Sequence, residues 1–239
     1  MKKNIALISG GNSSEIEISV QSAEQVQNWI DDTEFDSYLI VIEGKKWICI
    51  YEGKEIPVNK SDFSIITLNT IIQFDCALIM IHGTPGEDGK LQAYFDLMNI
   101  PYTTSGVLAS SLSFNKYACK LYLNQVGIKT AKSILIRKND IFQEDELIRE
   151  LGLPCFVKPN EGGSSFGVTK VRDRKELNEA VKHAQSESED VLIEEYIQGT
   201  EITCGMFKST RQQYIFPITE IVSKTDFFDY KAKYIPGHS

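Results

Sequence analysis

A lysine followed by a glycine- and serine-rich turn is the most informative chemical feature of the sequence. Lys158 ends an apolar run that begins at Pro154, and the turn Gly162-Gly163-Ser164-Ser165 follows shortly after it. Burial of a lysine in an apolar strand is costly unless its ammonium meets a negative partner. The turn can aim several N–H and O–H donors at one point, as phosphate-binding nests do. This pattern favours a phosphate site, which is not a Walker motif, over a flexible hairpin with a snorkelling lysine.

A second candidate site is the turn from Gly10 to Glu15, which joins a short apolar strand to a helical pattern. Backbone N–H groups at a helix N-terminus favour an anion, and glycines allow a ligand to approach closely. The turn lacks the Gly-x-Gly-x-x-Gly spacing, so a dinucleotide fingerprint is not supported. On spacing alone, the simpler interpretation is stronger: Glu15 complements the helix dipole.

A third candidate is the loop from His82 to Gly89, which follows the apolar run Phe74–Ile81. Open α/β sheets bind ligands at the carboxyl ends of their strands, which is where this loop lies. A histidine, two carboxylates and three glycines are more than a turn requires. Glu87 and Asp88 could equally serve only to cap a helix that begins near Lys90, and the sequence leaves these alternatives balanced.

The segment from Leu192 to Glu201 is an apolar strand that ends in carboxylates. Such a strand suits an adenine slot with a ribose-binding acid beyond it. Taken alone it is an ordinary edge strand, and that interpretation is the stronger of the two.

Apolar periodicity and turn residues predict the elements that must carry these segments. The predicted strands are Asn4–Ser9, Tyr38–Ile42, Lys46–Tyr51, Phe74–Ile81, Ser133–Arg137, Pro154–Lys158, Gly167–Val171, Val191–Ile197, Glu201–Phe207 and Tyr214–Val222. The predicted helices are Glu15–Ile30, with a capping box of Ser14 and Glu17, then Leu91–Met98, Ala109–Gln125, Glu144–Leu151 and Asp173–Gln185. The opening strand, turn and helix are typical of a parallel α/β domain.

Composition excludes several classes of protein. The chain has 239 residues, 42% of them hydrophobic, which indicates a folded core rather than a disordered or collagen-like chain. The formal net charge of −8 argues against a general nucleic-acid binder. Five scattered cysteines without a Cys-x-x-Cys pair indicate reduced, buried, structural thiols in a cytoplasmic protein. No apolar run reaches the length of a membrane helix.

Taken together, the segments resemble the D-alanine–D-alanine ligases of the ATP-grasp superfamily. The matching stretches occur in the family's order from Ile5 to Tyr234: GGNSSEIEIS, HGTPGEDGKLQ, PYTTSGVLASSLSFNKYACK, PCFVKPNEGGSSFGVTKV, LIEEYIQGTEI and DFFDYKAKY. The resemblance implies an α/β fold, α+β in its central domain, with ATP-grasp architecture and an N-terminal Rossmann-like parallel-sheet domain. The implied domains are residues 1–115, a central ATP-grasp subdomain at 116–201, and the start of a C-terminal subdomain at 202–239.

The resemblance also implies a role for each matching residue. Glu15 would hold the ammonium of the first D-alanine, and His82 would lie near its carboxyl group. Ser164 and Tyr234 would join Glu15 in a hydrogen-bonded bridge that closes the site, and Lys233 would approach the transferring phosphoryl group. The implied ATP-binding residues are Lys116, Lys158, Ser164, Glu194, Glu195, Tyr196, Ile197 and Glu201, with Glu201 at the ribose hydroxyls.

The implied reaction joins two D-alanines through an acyl phosphate for peptidoglycan precursor synthesis, with ATP and Mg²⁺ or Mn²⁺. The partners implied are D-alanine and ATP, without nucleic acid or membrane; the resemblance allows a homodimer and implies a cytoplasmic location. Another ATP-grasp ligase, such as a D-alanine–D-lactate ligase, is the enzymatic alternative. A non-catalytic nucleotide-binding fragment is the other.

Few residues depart from the family's pattern. Thr104 stands where glycine is common, Phe228 where tyrosine is common, and Lys231 where glutamate is common. The family continues with an arginine for the oxyanion and an Asp, Glu and Asn for magnesium, whereas this sequence ends at Ser239. The metal ligands are therefore expected beyond Ser239, and these 239 residues alone are expected not to turn over.

Tyr234 predicts the acceptor of the reaction. By the resemblance, ligases that make the D-alanyl-D-lactate ester depart from tyrosine at this position. We expect the full-length enzyme, given D-alanine and D-lactate together at neutral pH, to make mainly the peptide. Separation of the two products by chromatography measures their ratio, and a predominance of ester would contradict the prediction.

Overall fold

The computed structural model describes residues 2–222 and contains two units that interrupt each other in sequence. The first unit comprises residues up to Thr130 together with Asn160–Gly163. The second comprises Ala131–Pro159 and the residues from Ser164 onward. The predicted boundary at residue 115 differs from this grouping, because the helix that begins at Lys116 belongs to the first unit. The predicted division into three domains stays a prediction.

The first unit is built on a seven-stranded sheet with the order β6-β5-β4-β3-β2-β1-β7. Only the pairs of β1 with β2 and with β7 are parallel, and the remaining pairs are antiparallel. The strands are β1 Lys3–Gly10, β2 Phe35–Glu43, β3 Lys46–Tyr51, β4 Lys54–Asn59, β5 Ser64–Ile66, β6 Ile71–Gln73 and β7 Cys76–Ile79. The expected Rossmann-like parallel arrangement is confirmed for β2-β1-β7. The antiparallel strands β3 to β6 extend the sheet beyond this arrangement.

The burial of its apolar side chains fits the position of β1 between the two strands that pair with it in parallel. Ala6, Leu7 and Ile8 are fully buried, as expected for a strand with neighbours on both edges and layers on both faces. The helices of this unit are α1 Ile16–Gln27, α2 Lys90–Met98, α3 Val107–Phe114 and α4 Lys116–Gln125. An aromatic cluster fills the core around Phe63, whose ring packs against those of Phe74 and Phe95.

The second unit is built on an antiparallel sheet with the order β10-β9-β11-β8. Its strands are β8 Ser133–Ile136, β9 Cys155–Pro159, β10 Thr169–Val171 and β11 Val191–Glu195, and its helices are α5 Glu144–Leu151 and α6 Leu177–Gln185. A short 3-10 turn, Arg174–Glu176, precedes α6. Two small ladders follow, formed by β12 Ile202–Thr203 with β15 Thr219–Glu220 and by β13 Met206–Lys208 with β14 Gln213–Ile215.

Several sequence predictions about the elements are wrong in detail. The predicted helix Ala109–Gln125 is two helices, because Asn115 has an extended backbone and caps α4 by accepting a hydrogen bond from the Ala118 N–H. The predicted capping box of Ser14 and Glu17 does not form, since α1 begins at Ile16 without a side-chain cap. The predicted strand Phe74–Ile81 is shorter, and β4, β5 and β6 were not predicted. By contrast, α5 and β3 have the predicted bounds.

Among residues 2–222, no helix is both long enough and apolar enough to cross a membrane.

The five cysteines differ in burial, which corrects the prediction that all are buried. Cys49 and Cys155 are buried, Cys76 and Cys119 are half-buried, and Cys204 is exposed. Burial raises the pKa of Cys49 to about 11 and raises the pKa of Cys155 as well. The thiolate is the reactive form, so these two thiols are protonated and shielded at neutral pH.

We expect a thiol-specific chromogenic reagent at pH 8 to label Cys204 first and Cys49 and Cys155 only after unfolding. The rate of absorbance change with and without denaturant measures this order. A Cys204→Ser variant should lack the fast phase, and reaction of Cys49 as fast as that of Cys204 would contradict the assignment.

Candidate functional site

The turn after β1 brings Glu15 to the start of α1 and buries it. Gly10 fits here because a Cβ would lie 2.3 Å from the Ile42 carbonyl oxygen, and its φ of +92° suits glycine. The Gly11 N–H donates to the same carbonyl. The two glycines are thus required by packing. Glu15 itself is only 3% exposed, which is more burial than a residue that merely complements a helix dipole needs.

Glycine backbone closes around the Glu15 carboxylate. A Cβ on Gly163 would lie 3.0 Å from both carboxylate oxygens, and a Cβ on Gly83 would lie 3.3 Å from Oε2. Any larger residue at Gly163 would press on the carboxylate. The structure therefore brings together two of the predicted segments of the first unit, the start of α1 and the loop that begins at His82, with the residues before Ser164.

Ser13, which was not predicted as a site residue, links Glu15 to His82. Its Oγ donates to the His82 carbonyl oxygen at 3.0 Å and accepts the Glu15 N–H at 3.3 Å. The half-buried His82 ring lies with Nε2 3.3 Å from the Ser22 hydroxyl oxygen. Ser22 lies about one and a half turns into α1. Helical spacing could indicate its contact with His82 only once the position of the loop was known.

The two carboxylates of the loop His82–Gly89 stabilise the loop. Glu87 accepts the Gly83 N–H at 2.7 Å. Asp88 accepts the Lys90 N–H at 3.2 Å at the start of α2 and also pairs with the Lys90 ammonium. Asp88 therefore satisfies one N–H at the start of α2, although the N-cap residue is Gly89, and Glu87 closes the loop rather than the helix.

Lys116, at the first position of α4, contacts the glycine-rich segment. Its Nζ donates to the Gly162 carbonyl oxygen at 2.7 Å. The neighbouring Asn115 donates through Nδ2 to Glu161 at 2.9 Å. These contacts lie within the first unit, to which residues 160–163 belong.

Lys158 has the negative partner that its position requires. It lies on β9 beside β11, where its ammonium pairs with the Glu194 carboxylate. The two side chains are 24% and 13% exposed, so the pair is partly desolvated. Glu195, by contrast, is engaged with the backbone, since its carboxylate accepts the Lys132 N–H at 2.6 Å.

An aromatic and cationic group lies beside this pair on the second unit. The Phe156 and Tyr196 rings are 6.1 Å apart, and the Lys170 ammonium lies 4.1 Å from the Tyr196 ring centroid. Neither Phe156 nor Lys170 was predicted as a site residue, although Lys170 pairs directly with Phe156 in the register of β9 and β10. Strand β11 ends at Glu195, so Tyr196 and Ile197 extend beyond it, contrary to the longer strand predicted.

Ser164 occupies a strained stretch of backbone. Its φ of +49° is followed by +62° at Ser165, and both values are left-handed conformations that cost energy for residues other than glycine. Such strain is typical of ligand clamps and functional loops. Glu201 is exposed and precedes β12.

Two predicted catalytic residues, Lys233 and Tyr234, lie outside the described residues. Within residues 2–222, no group of three or more His, Cys, Asp or Glu side chains is arranged to hold a metal ion.

The first unit has a Rossmann-like sheet, and the antiparallel sheet of the second carries a lysine–carboxylate pair beside a glycine-rich loop. Together with its similarity to solved D-alanine ligases, this places the chain in the ATP-grasp class of enzymes. The family model for the D-ala D-ala ligase N-terminus matches residues 4–105, and the model for the C-terminus matches residues 122–239. The chain belongs to the D-alanine–D-alanine ligase family.

Individual relatives agree with this assignment. The D-alanine–D-alanine ligase of Azobacteroides pseudotrichonymphae is 52% identical over 237 residues, which is 98% of this chain and 73% of that protein. The crystal structure of D-alanyl-alanine synthetase A from Vibrio cholerae aligns with a TM-score of 0.83 at 28% identity and covers 93% of this chain and 68% of that one. A Bacillus anthracis D-alanine–D-alanine ligase complexed with ATP aligns with a TM-score of 0.71 at 30% identity, covering 95% and 68%.

The close approach at Gly83 generates a prediction about stability. A Cβ here would lie 2.5 Å from the Ser13 Oγ, whereas one on Gly53 would meet nothing within 4 Å. The two glycines have nearly equal φ values, +74° and +73°, so Gly53→Ala is a matched control for backbone strain. We expect Gly53→Ala to lower the free energy of unfolding by about 1–2 kcal/mol. Gly83→Ala should lose about 1–3 kcal/mol more through overpacking.

Urea denaturation followed by circular dichroism measures both values. Equal losses in the two variants would show that the Gly83 contact with Ser13 carries no strain.

Proposed function

We propose that the protein is an ATP-dependent ligase that joins two D-alanines into D-alanyl-D-alanine for peptidoglycan precursor synthesis. Membership of the D-alanine–D-alanine ligase family, over both family models, supports the reaction. The structural observation that carries the proposal is the partly buried Lys158–Glu194 pair directly before the glycine-rich loop. A lysine held as a point charge at such a place suits a nucleotide phosphate.

The first D-alanine is proposed to bind at Glu15. A carboxylate that is 3% exposed and closed in by glycine backbone is a strong partner for a substrate ammonium, since the surroundings do not screen the attraction. His82 is proposed to lie near the substrate carboxyl group. Ser13 supports this arrangement, because its hydroxyl holds the backbone of both residues in place.

ATP is proposed to bind at the sheet of the second unit. The residues proposed to contact it are those that match the family's ATP-binding motifs. Lys158 contacts phosphate, Glu201 takes the ribose hydroxyls, and the segment Glu194–Ile197 frames the adenine. The aromatic rings of Phe156 and Tyr196 support a flat base at this place, because stacking on a π-face tolerates any purine orientation. In this role Lys170 is a positioning residue that orients the Tyr196 ring.

Lys116 and Ser164 are proposed to act on the phosphates as well, and Ser164 to help close the site with Tyr234. Lys233 is proposed to approach the transferring phosphoryl group. For Ser164, the strained backbone at two successive residues supports a role in clamping a ligand.

The chemistry requires two successive transfers. The carboxylate of the first D-alanine attacks the γ-phosphorus of ATP, and the bond between that phosphorus and the bridging oxygen of the β-phosphate breaks. ADP departs with this oxygen, and the D-alanine carboxylate has become an acyl phosphate. The amine of the second D-alanine then attacks the acyl carbon, loses a proton, and inorganic phosphate departs. Positioning and neutralisation of charge supply most of the catalysis, and water must be excluded from the acyl phosphate.

ATP acts together with Mg²⁺ in this family. ATP fits the residues that the structure describes, because the second unit carries a cationic side chain and two neighbouring aromatic rings. For the metal, residues 2–222 contain no matching group of ligands. The proposed ligands are the Asp, Glu and Asn that the resemblance expects beyond Ser239.

Other features of the protein are proposed on less direct support. The three-domain division 1–115, 116–201 and 202–239 follows the family's motifs. A cytoplasmic location, without membrane or nucleic-acid partners, follows from the use of ATP and from the buried thiols. A homodimer is proposed as the assembly. A D-alanine–D-lactate ligase or a non-catalytic nucleotide binder remains the alternative, and no feature of residues 2–222 favours either.

Replacement of Lys158 tests the nucleotide site. We expect Lys158→Ala to weaken binding of a non-hydrolysable ATP analogue by about 1.5–3 kcal/mol, because a hydrogen bond to a charged group is lost. Isothermal titration calorimetry measures the change. Lys182→Ala, which removes an exposed lysine from α6 of the same unit, is the matched control and should leave affinity unchanged. Unchanged affinity in a folded Lys158→Ala protein would refute the assignment.

A further inference from the structure

The N-terminus of α4 is capped by a residue far away in sequence. Asn160 accepts the Lys116 N–H through its backbone carbonyl at 3.0 Å and the Tyr117 N–H through Oδ1 at 2.9 Å. Asn115, the N-cap residue, accepts the Ala118 N–H through its side chain and donates its own N–H to the Ser111 carbonyl. The four N–H groups at the start of the helix are therefore satisfied, two of them by Asn160.

This capping leaves no backbone donors for an anion at α4, so the helix N-terminus is not itself a phosphate site. It instead anchors the segment that contains the two glycines of the glycine-rich turn. We call residues 160–163 the stem. Besides Asn160, Glu161 accepts a hydrogen bond from Asn115, and the Gly162 carbonyl accepts one from the Lys116 ammonium.

The last residue of the stem lies against Glu15. A Cβ on Gly163 would be 3.0 Å from each of the two Glu15 carboxylate oxygens. Because Asn160 is only 2% exposed, its contacts with α4 are shielded from competition by water. The position of the Gly163 backbone, and with it one wall around the Glu15 carboxylate, is thus set by how firmly the stem is held on α4.

We infer that Asn160 is a positioning residue for the first D-alanine site, acting through the stem on Glu15. This inference rests on the proposed function, which assigns the D-alanine ammonium to Glu15. Asn160 does not touch the substrate in this proposal. It holds the stem on α4, and the stem fixes the position of the Gly163 backbone. That backbone lies against the Glu15 carboxylate.

Two substitutions separate this role from a general loss of stability. Asn160→Ala removes the acceptor of the Tyr117 N–H and leaves a half-buried donor without its partner. Asn160→Asp keeps an acceptor oxygen at the same place, and its negative charge is favoured at a helix N-terminus. Asp173→Ala is the matched control, because it removes an N-terminal capping side chain from the 3-10 turn before α6, in the other unit.

The first measurement tests the cap itself by amide hydrogen exchange of the α4 segment, with the chain of 239 residues. We expect exchange at Tyr117 to accelerate about fivefold in Asn160→Ala, the factor for one lost capping bond. Asn160→Asp should restore slow exchange, and Asp173→Ala should leave it unchanged. Unaltered exchange in Asn160→Ala would overturn the inference.

The second measurement tests the consequence for the substrate, by steady-state release of phosphate from the complete gene product. We expect Asn160→Ala to raise the KM for the first D-alanine about fivefold with kcat nearly unchanged, because ground-state and transition-state binding are lost equally. Asn160→Asp should recover most of the KM. Adenosine, which lacks phosphates, should bind all variants with equal affinity.

An unchanged KM in Asn160→Ala, or an equal rise in Asp173→Ala, would overturn the positioning role. Failure of the proposed function has a different signature. The wild-type gene product would then release no phosphate in response to D-alanine, while the exchange experiment would still decide whether Asn160 holds the stem.

Discussion

The cost of taking a charged side chain out of water shapes both units of this protein. In the first unit the charge is Glu15, which glycine backbone encloses at Gly83 and Gly163. In the second it is Lys158, which lies on an otherwise apolar strand and meets Glu194 across the sheet. Each charge is thus partly or fully withdrawn from water and lies against groups of its own unit.

Glycine contributes to this arrangement through the absence of a side chain rather than through flexibility. At Gly163 a Cβ would meet the Glu15 carboxylate, and at Gly83 it would meet the Ser13 side chain. Ser13 in turn bonds to the backbone of both Glu15 and His82. The site is therefore assembled by close approach of backbone segments, and it is sensitive to substitutions that add even one carbon.

The stem groups with the first unit, although the segments on either side of it in sequence belong to the second. Residues 160–163 lie in sequence between β9 and the strained serines of the second unit, yet they group with the first. What holds them there is polar: the capping of α4 by Asn160 and the hydrogen bond from Lys116 to Gly162. Polar contacts of this kind specify one arrangement, because each unmade bond at a buried donor or acceptor is costly.

The sequence by itself determined the α/β class, the family's motifs and the bounds of regular elements such as α5, because periodicity and turn chemistry are local properties. It also indicated that Lys158 needs a negative partner, since burial of a charge is costly wherever it occurs. The predictions are wrong at Asn115, where a local N-cap divides one predicted helix into two, and over the short strands β4, β5 and β6. Only the tertiary structure decided that Glu194 is the partner of Lys158 and that Asn160 caps α4. It alone revealed that Gly163 backs Glu15, because these contacts join residues distant in sequence, and no local pattern encodes which distant groups meet.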